Sequence, residues 1–239
     1  MEFAAPLVRA RLVRRYKRFL ADVAFDDGRE ATAHCPNPGS MAGLAEPGMR
    51  VWLMPAGPGK KLGWSWKLVE LPQGHWAGID TAVPNRVVGE ALRAGRVAEL
   101  ARYTSVRAEV PYGTRSRVDF LLGGQGLPPA YVEVKNVHLR RTGDWAEFPD
   151  CVTARGARHL DELAGMVRAG HRAVMVYLVQ RTDCARLRLA ADLDPAYAAA
   201  ARRAQGAGVE VLCYGPRIDP GGVTPAARLP GPAWARPAL

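Results

Sequence analysis

Residues 115–122 read Arg-Ser-Arg-Val-Asp-Phe-Leu-Leu and residues 131–136 read Tyr-Val-Glu-Val-Lys-Asn, separated by a Gly/Pro-rich loop at 123–129. In an extended strand, side chains alternate between faces. Glu133 and Lys135 therefore leave one face while Val132 and Val134 enter the core. The connecting loop is short enough for a hairpin, which brings Asp119 beside that strand. Two carboxylates and an ammonium set among apolar neighbours are costly unless they are paired or hold a metal ion. Asp119, Glu133 and Lys135 are the candidate catalytic residues. Asp119 and Glu133, with the main-chain carbonyl of Val134, are candidate oxygen ligands for Mg²⁺ or Mn²⁺, leaving positions open for water and phosphate. The bland alternative is a surface hairpin with one Glu–Lys ion pair and a turn Asp. Only five of the 33 basic residues are lysines, so a lysine inside an apolar strand points to a need for a compact ammonium.

Outward from this hairpin, the pattern predicts an α-β-β-β-α-β-α-β order. Asn85 is expected to cap a first helix with apolar positions Val87, Val88, Ala91 and Leu92. Strands are expected at 106–112, 117–122 and 131–137. A second helix starts near Asp150 and carries the stripe Val152, Leu160, Leu163 and Val167. The apolar run 173–179 reads as a strand buried on both faces, with a helix at 195–204 and a strand at 209–214 after it. A mixed sheet flanked by helices follows over 81–215. Glu90 on the first helix is a further candidate metal carboxylate, with a solvated helix face as the alternative. Gln180, ending the buried strand, meets the site or only terminates the sheet.

Residues 1–80 have another rhythm. About five short strand candidates are broken by turn signals at Asp26-Asp27-Gly28, Pro36-Asn37-Pro38-Gly39 and Pro47-Gly48. A small closed barrel is expected, most commonly an oligonucleotide-binding (OB) fold, with a small sandwich as the alternative. From Pro216 onward six prolines and three glycines occur without apolar periodicity, so 216–239 is expected to be a disordered tail.

The net charge is +10 and the pI near 9.9, a field that attracts polyanions. Basic residues interleave with aromatics at Arg14, Arg15, Tyr16, Lys17, Arg18 and Phe19, as suits a groove that neutralises phosphates and stacks bases. Further candidate nucleic-acid contacts are Asn37, Ser40, Arg86, Arg115, Ser116, Arg117, Asn136, Arg155, Arg158 and His159. The partner expected is nucleic acid, DNA ahead of RNA. No membrane partner is expected, because Arg interrupts the first apolar stretch and no run is long enough to span a bilayer. The four cysteines form no CxxC pair, which suits a reduced cytoplasm. His34 and His138 read as structural. No phosphate-binding P-loop, serine triad or sugar-cofactor motif appears.

Several ordered strings, RYKRFLADV, HCPNPGSMAGL, DTAVPNRVV, YGTRSRVDFLL, YVEVKNV, FPDCVTARGARHLDEL and MVYLVQR, together resemble the sugar fermentation stimulation protein A (SfsA) family over about residues 1–215. The resemblance implies an OB-like N-terminal domain, a C-terminal domain similar to PD-(D/E)XK restriction-endonuclease-like nucleases, and DNA binding. It also implies that Asp119, Glu133 and Lys135 match the nuclease motif, with Glu90 as the helix carboxylate. Two departures stand out: Pro38 replaces a usual Thr, and Ala157-Arg158-His159 stands where Lys-His is usual. The expectation is therefore a divalent-metal-dependent phosphodiesterase acting on nucleic acid. Its alternative is a non-catalytic DNA-binding regulator of sugar-metabolism genes built on the same fold.

Overall fold

The computed structural model describes residues 1–113 and 116–234. The N-terminal strands β1 (Val8–Tyr16), β2 (Leu20–Phe25), β3 (Glu30–His34), β4 (Arg50–Pro55) and β5 (Trp64–Glu70) are ordered β3-β2-β1-β4-β5, and β3 meets β5 to close the barrel. A short strand, β6 (Trp76–Gly78), extends the β5 edge. The interior is filled by alternate residues, among them Leu12, Val23, Val51, Leu53 and Trp66, all buried. The Trp66 indole satisfies its N–H on the Leu68 carbonyl at 2.9 Å.

The stretch 7–25 reads as one alternating run, yet it is two strands. Between them Lys17 and Arg18 take left-handed φ angles of 47° and 62°. Such a conformation costs about 1–3 kcal/mol per non-glycine residue and must be imposed from outside. Arg15 supplies part of that constraint, donating to the carbonyls of Arg18, Asn37 and Gly39 at 3.0, 2.8 and 2.9 Å. No Gly or Asn marks the turn, so the sequence hid it.

The second domain holds α1 (Val83–Arg93), β7 (Ser105–Tyr112), β8 (Ser116–Gly123), β9 (Ala130–Val137), β10 (Trp145–Phe148), α2 (Ala154–Arg168), β11 (Arg172–Val179), β12 (Arg186–Leu189), α3 (Pro195–Gly206), β13 (Glu210–Asp219), β14 (Gly222–Arg228) and β15 (Ala233–Trp234). Its main sheet is ordered β14-β13-β11-β9-β8-β7. Strands β9, β11 and β13 run parallel, and β7, β8 and β14 are antiparallel to their neighbours. Packing of α1 covers one face of this sheet; α2 and α3 cover the other. Strand β11, central and parallel, is buried from Ala173 to Val179. Helices α2 and α3 start on side-chain caps: Thr153 accepts from Gly156 N, and Asp194 accepts from Tyr197 N.

Four expectations need correction. Helix α2 starts at Ala154, so Val152, expected in its apolar stripe, lies before it and is exposed. Helix α1 starts on Ala82 without a side-chain cap; Asn85 lies inside the helix and its amide is used elsewhere. Strands β10 and β12, which pair in parallel in a small separate sheet with β15, went unread. Residues 216–228 are not a disordered tail: they complete β13 and form β14. Their prolines fit because Pro216 faces Pro225 of the edge strand beside a bulge, where no ladder N–H is required of them. Ile218 and Val223 bury there, and Asp219 closes the turn by accepting Gly221 N at 2.8 Å.

The two domains join along β6. Gly78 N donates to the Gln180 carbonyl at 2.9 Å and Ala77 bridges Arg181. Gln180 is fully buried, and its amide donates to Asn136 Oδ1 at 2.8 Å and to the Asp80 carbonyl at 3.3 Å.

Candidate metal and nucleic-acid site

The site grows from a fork in the sheet. Strands β8 and β9 pair from Leu122–Ala130 to Phe120–Val132 and then part. Asp119 stands where the next rung would be. Its Oδ2 accepts the Val134 N–H at 2.7 Å, replacing the ladder bond that the fork removes, and its Oδ1 accepts the Asn85 amide of α1 at 2.7 Å. A residue's N–H and C=O leave a strand on the same edge, so the Val134 carbonyl also faces the fork.

Glu133 projects toward α2 and is 2% exposed. Its Oε1 accepts Lys135 Nζ at 2.7 Å and is also bonded by His159 Nδ1. Arg155 Nε donates to His159 Nε2 at 3.2 Å, which assigns the ring proton to Nδ1. The other oxygen, Oε2, is buried without a partner among the described residues. Burial raises the Asp119 carboxyl to about 6, with the charge of Glu133 adding to it, against the opposing pull of Val134 N–H, Lys135 and Asn85. Burial also raises Glu133, yet the His159 hydrogen bond and the Lys135 charge outweigh it and leave that group below its ordinary value. Two neighbouring carboxylates therefore differ: one is ionised and held by the Lys135 ammonium and the His159 N–H, the other holds its proton toward neutrality.

The fork thus assembles Asp119, Glu133, Val134 and Lys135, with His159 behind them. His159 was read as a phosphate contact, but it is 3% exposed and serves Glu133. Glu90 is not brought to the fork by any bond; its Oε2 pairs with the Met1 amino group at 2.9 Å. Among the described residues no three His, Cys, Asp or Glu side chains form a ready metal cluster. The fork offers two carboxylates and a carbonyl.

The expected nucleic-acid contacts divide. Asn37 is 1% exposed, and its amide donates to the Ile79 carbonyl at 2.8 Å while its Oδ1 accepts Gly39 N. It holds the loop's shape and also lines the hollow at the domain junction. Ser40 N and its hydroxyl meet Asp150, tying the barrel loop to the second domain. Arg14 pairs with Asp22 at 2.8 Å, and the Tyr16 hydroxyl donates to the same carboxylate. Arg117 donates to the Glu109 carbonyl at 2.8 Å, and Asn136 lies between His138 and Gln180. Ser116 is buried with its hydroxyl unpartnered. Lys17, Arg18, Arg86, Arg155 and Arg158 are exposed. Arg115 lies outside the described residues. A hollow of about 490 Å³ at the domain junction, lined by Arg18, Asn136, His138, Asp150 and Cys151 among others, joins the β1–β2 turn to the strand that carries Lys135.

Sequence reading missed Asn85 as a partner of Asp119, because a pre-helical Asn suggests a cap. Nor did it single out Tyr112, at the end of β7, which is buried with its hydroxyl unpartnered among the described residues. The i, i+3 spacing of His159 and Glu162 is the signal that both share one helix face.

The fold and the fork define a class: an OB barrel joined to a helix-flanked mixed sheet with an acidic strand fork. Family models place the chain more narrowly. One described as "SfsA N-terminal OB domain" matches residues 13–79, and one described as "Sugar fermentation stimulation protein RE domain" matches residues 82–222. The chain belongs to the SfsA family. It is 66% identical to a sugar fermentation stimulation protein homolog of Dinoroseobacter shibae over 232 residues, covering 96% of this chain and 95% of the relative. A homolog from a Jannaschia species is 61% identical and covered 96% on both sides. The structure of SfsA from Pyrococcus furiosus, solved in complex with Ca²⁺, superposes with a TM-score of 0.86 at 28% identity, over 96% of each chain. No helix of the described residues is long and apolar enough to cross a membrane.

Proposed function

We propose that this protein binds nucleic acid, DNA in preference to RNA, and hydrolyses its phosphodiester bonds with a divalent cation, Mg²⁺ or Mn²⁺, at the β8–β9 fork. The observation that carries the reading is half-buried Asp119 and buried Glu133 at one fork, with Glu133 Oε2 unpartnered among the described residues. Like charges that close together favour an added cation, and hard oxygen donors suit Mg²⁺, Mn²⁺ or Ca²⁺. Asp119, Glu133 and the Val134 carbonyl would hold it. The Ca²⁺ complex of the Pyrococcus relative supports a divalent cation in this family, and the OB domain with a charge of +10 supports a polyanionic partner.

When bound, such a cation supplies Lewis acidity and an acidified water. The chain's own residues do the rest. Lys135, 14% exposed and bonded to Glu133 at 2.7 Å, presents an ammonium to the fork mouth, where it orients a water or offsets charge on a phosphate oxygen. His159 and Lys135 fix the Glu133 carboxylate. Asn85 and Val134 N fix that of Asp119.

The test is a cleavage screen on labelled single- and double-stranded DNA and RNA with Mg²⁺, Mn²⁺ or EDTA. Wild type is expected to cleave only with cation, and Asp119→Ala, Glu133→Ala and Lys135→Ala to bind without cleaving. Cleavage that survives in purified Asp119→Ala overturns the assignment. Salt-sensitive binding with no turnover on any substrate leaves the non-catalytic regulator.

A further inference from the structure

The face of the sheet under α2 carries more unpartnered oxygens than one cation at the fork explains. Glu162 lies one turn after His159 on α2, and both of its carboxylate oxygens are buried without a hydrogen-bond partner among the described residues. Its carboxyl packs over the turn that follows β7: a Cβ on Gly113 would stand 3.1 Å from both Glu162 Cδ and Oε1. The preceding residue, Tyr112, is 7% exposed, and its hydroxyl is also unpartnered. Its ring stacks on Tyr131 with centroids 5.7 Å apart, and Tyr131 shares a strand face with Glu133; burial and the charges of Glu133, Glu162 and Asp119 push the hydroxyl up against the pull of Arg158. Glu133 Oε2 adds a further orphan.

A buried carboxylate with neither donor nor counter-ion is unfavourable. Arg158, four residues before Glu162 on the same helix, is exposed and forms no ion pair with it among the described residues. The unmet atoms are all oxygens, from two carboxylates and a phenol. That set attracts a hard divalent cation and offers nothing to an anion or an apolar ligand.

We propose that Glu162, the Tyr112 hydroxyl and Glu133 Oε2 form a second divalent-cation site adjoining the Asp119–Glu133 fork and sharing Glu133 with it. This rests on the reading that the fork itself holds a cation. Two cations flanking one carboxylate would let the protein stabilise both the attacking and the leaving oxygen of a phosphodiester. In this arrangement Glu162 serves as a ligand, distinct from Arg155 and Arg158 on the exposed edge of α2.

The experiment is a Mn²⁺ titration by calorimetry on the full chain: wild type, Glu162→Gln, Tyr112→Phe and Asp119→Asn. Glutamine keeps the shape of Glu162, and thermal melts check that each variant is folded. Wild type is expected to take up two Mn²⁺ per chain and Glu162→Gln one. Tyr112→Phe is expected to keep both sites and weaken one. Two Mn²⁺ still bound by Glu162→Gln overturns the second site. One Mn²⁺ in wild type, lost in Asp119→Asn, retains the fork reading and removes only this proposal. No Mn²⁺ uptake by wild type removes both.

Discussion

Replacing Asp119 by Asn in the cation-free protein tests the electrostatics of the fork without needing a substrate. Asp119 keeps its proton to about 6 in the folded chain instead of 3.8. At about 1.4 kcal/mol per pH unit, ionising it in place costs the fold about 3 kcal/mol. The folded value is the higher one, so this cost is absent below the unfolded value, grows through the interval between the two, and is complete above about 6. At pH 8 in EDTA wild type carries it in full; the Asp119→Asn variant, neutral at that position, does not. Against that gain, an Asn side chain has one acceptor oxygen where Asp had two, so either Val134 N–H or the Asn85 amide loses its partner. That loss is worth about 1–2 kcal/mol. The net expectation is a variant about 1–2 kcal/mol more stable at pH 8, or about 2–8 °C in Tm for a chain of this size. Below pH 4 the advantage vanishes or reverses. Adding Mn²⁺ raises the melting temperature of wild type more than that of the variant, which has lost the fork site. Scanning calorimetry from pH 3.5 to 8, with and without Mn²⁺, reads all of this. An Asn variant that melts at or below wild type at pH 8 in EDTA refutes the argument that the fork holds uncompensated negative charge.

Other substitutions probe the supports of the site. Thr153→Ala removes the cap that accepts Gly156 N at 3.2 Å and is expected to lower stability by about 1 kcal/mol in urea titrations. Tyr197→Phe leaves the buried Tyr177 hydroxyl without its 2.7 Å partner; a loss of about 1–3 kcal/mol is expected with the fold retained by circular dichroism. Gly89→Ala should favour α1 by helix propensity, worth about 1 kcal/mol. Its Cβ would nevertheless stand 2.8 Å from Phe120 Cζ, so the outcome expected is destabilisation of about 1–3 kcal/mol. It also moves Asn85 relative to Asp119, read as a changed pH profile of stability.

The strand pair β8–β9 and its three polar residues were legible because alternation around Val132 and Val134 fixes which side chains share a face, and that needs no partner strand. The buried run of β11 and the paired helices were legible for the same reason: each is a local period of apolar residues. Tertiary structure decided where those periods break. The left-handed turn at Lys17 and Arg18 is held by Arg15 reaching distant carbonyls, and the prolines of β13 and β14 are tolerated only because they meet across a sheet edge. It also decided the partners. Asn85 reads locally as a cap and Glu90 as a metal carboxylate, yet the first serves Asp119 and the second the Met1 amino group. Glu162 and Tyr112 look like a helix flank and a strand end, and only the packing of α2 over the Gly113 turn leaves their oxygens buried and unmatched. Period is a property of the chain alone, whereas the company a charge keeps depends on which distant segments exclude water around it.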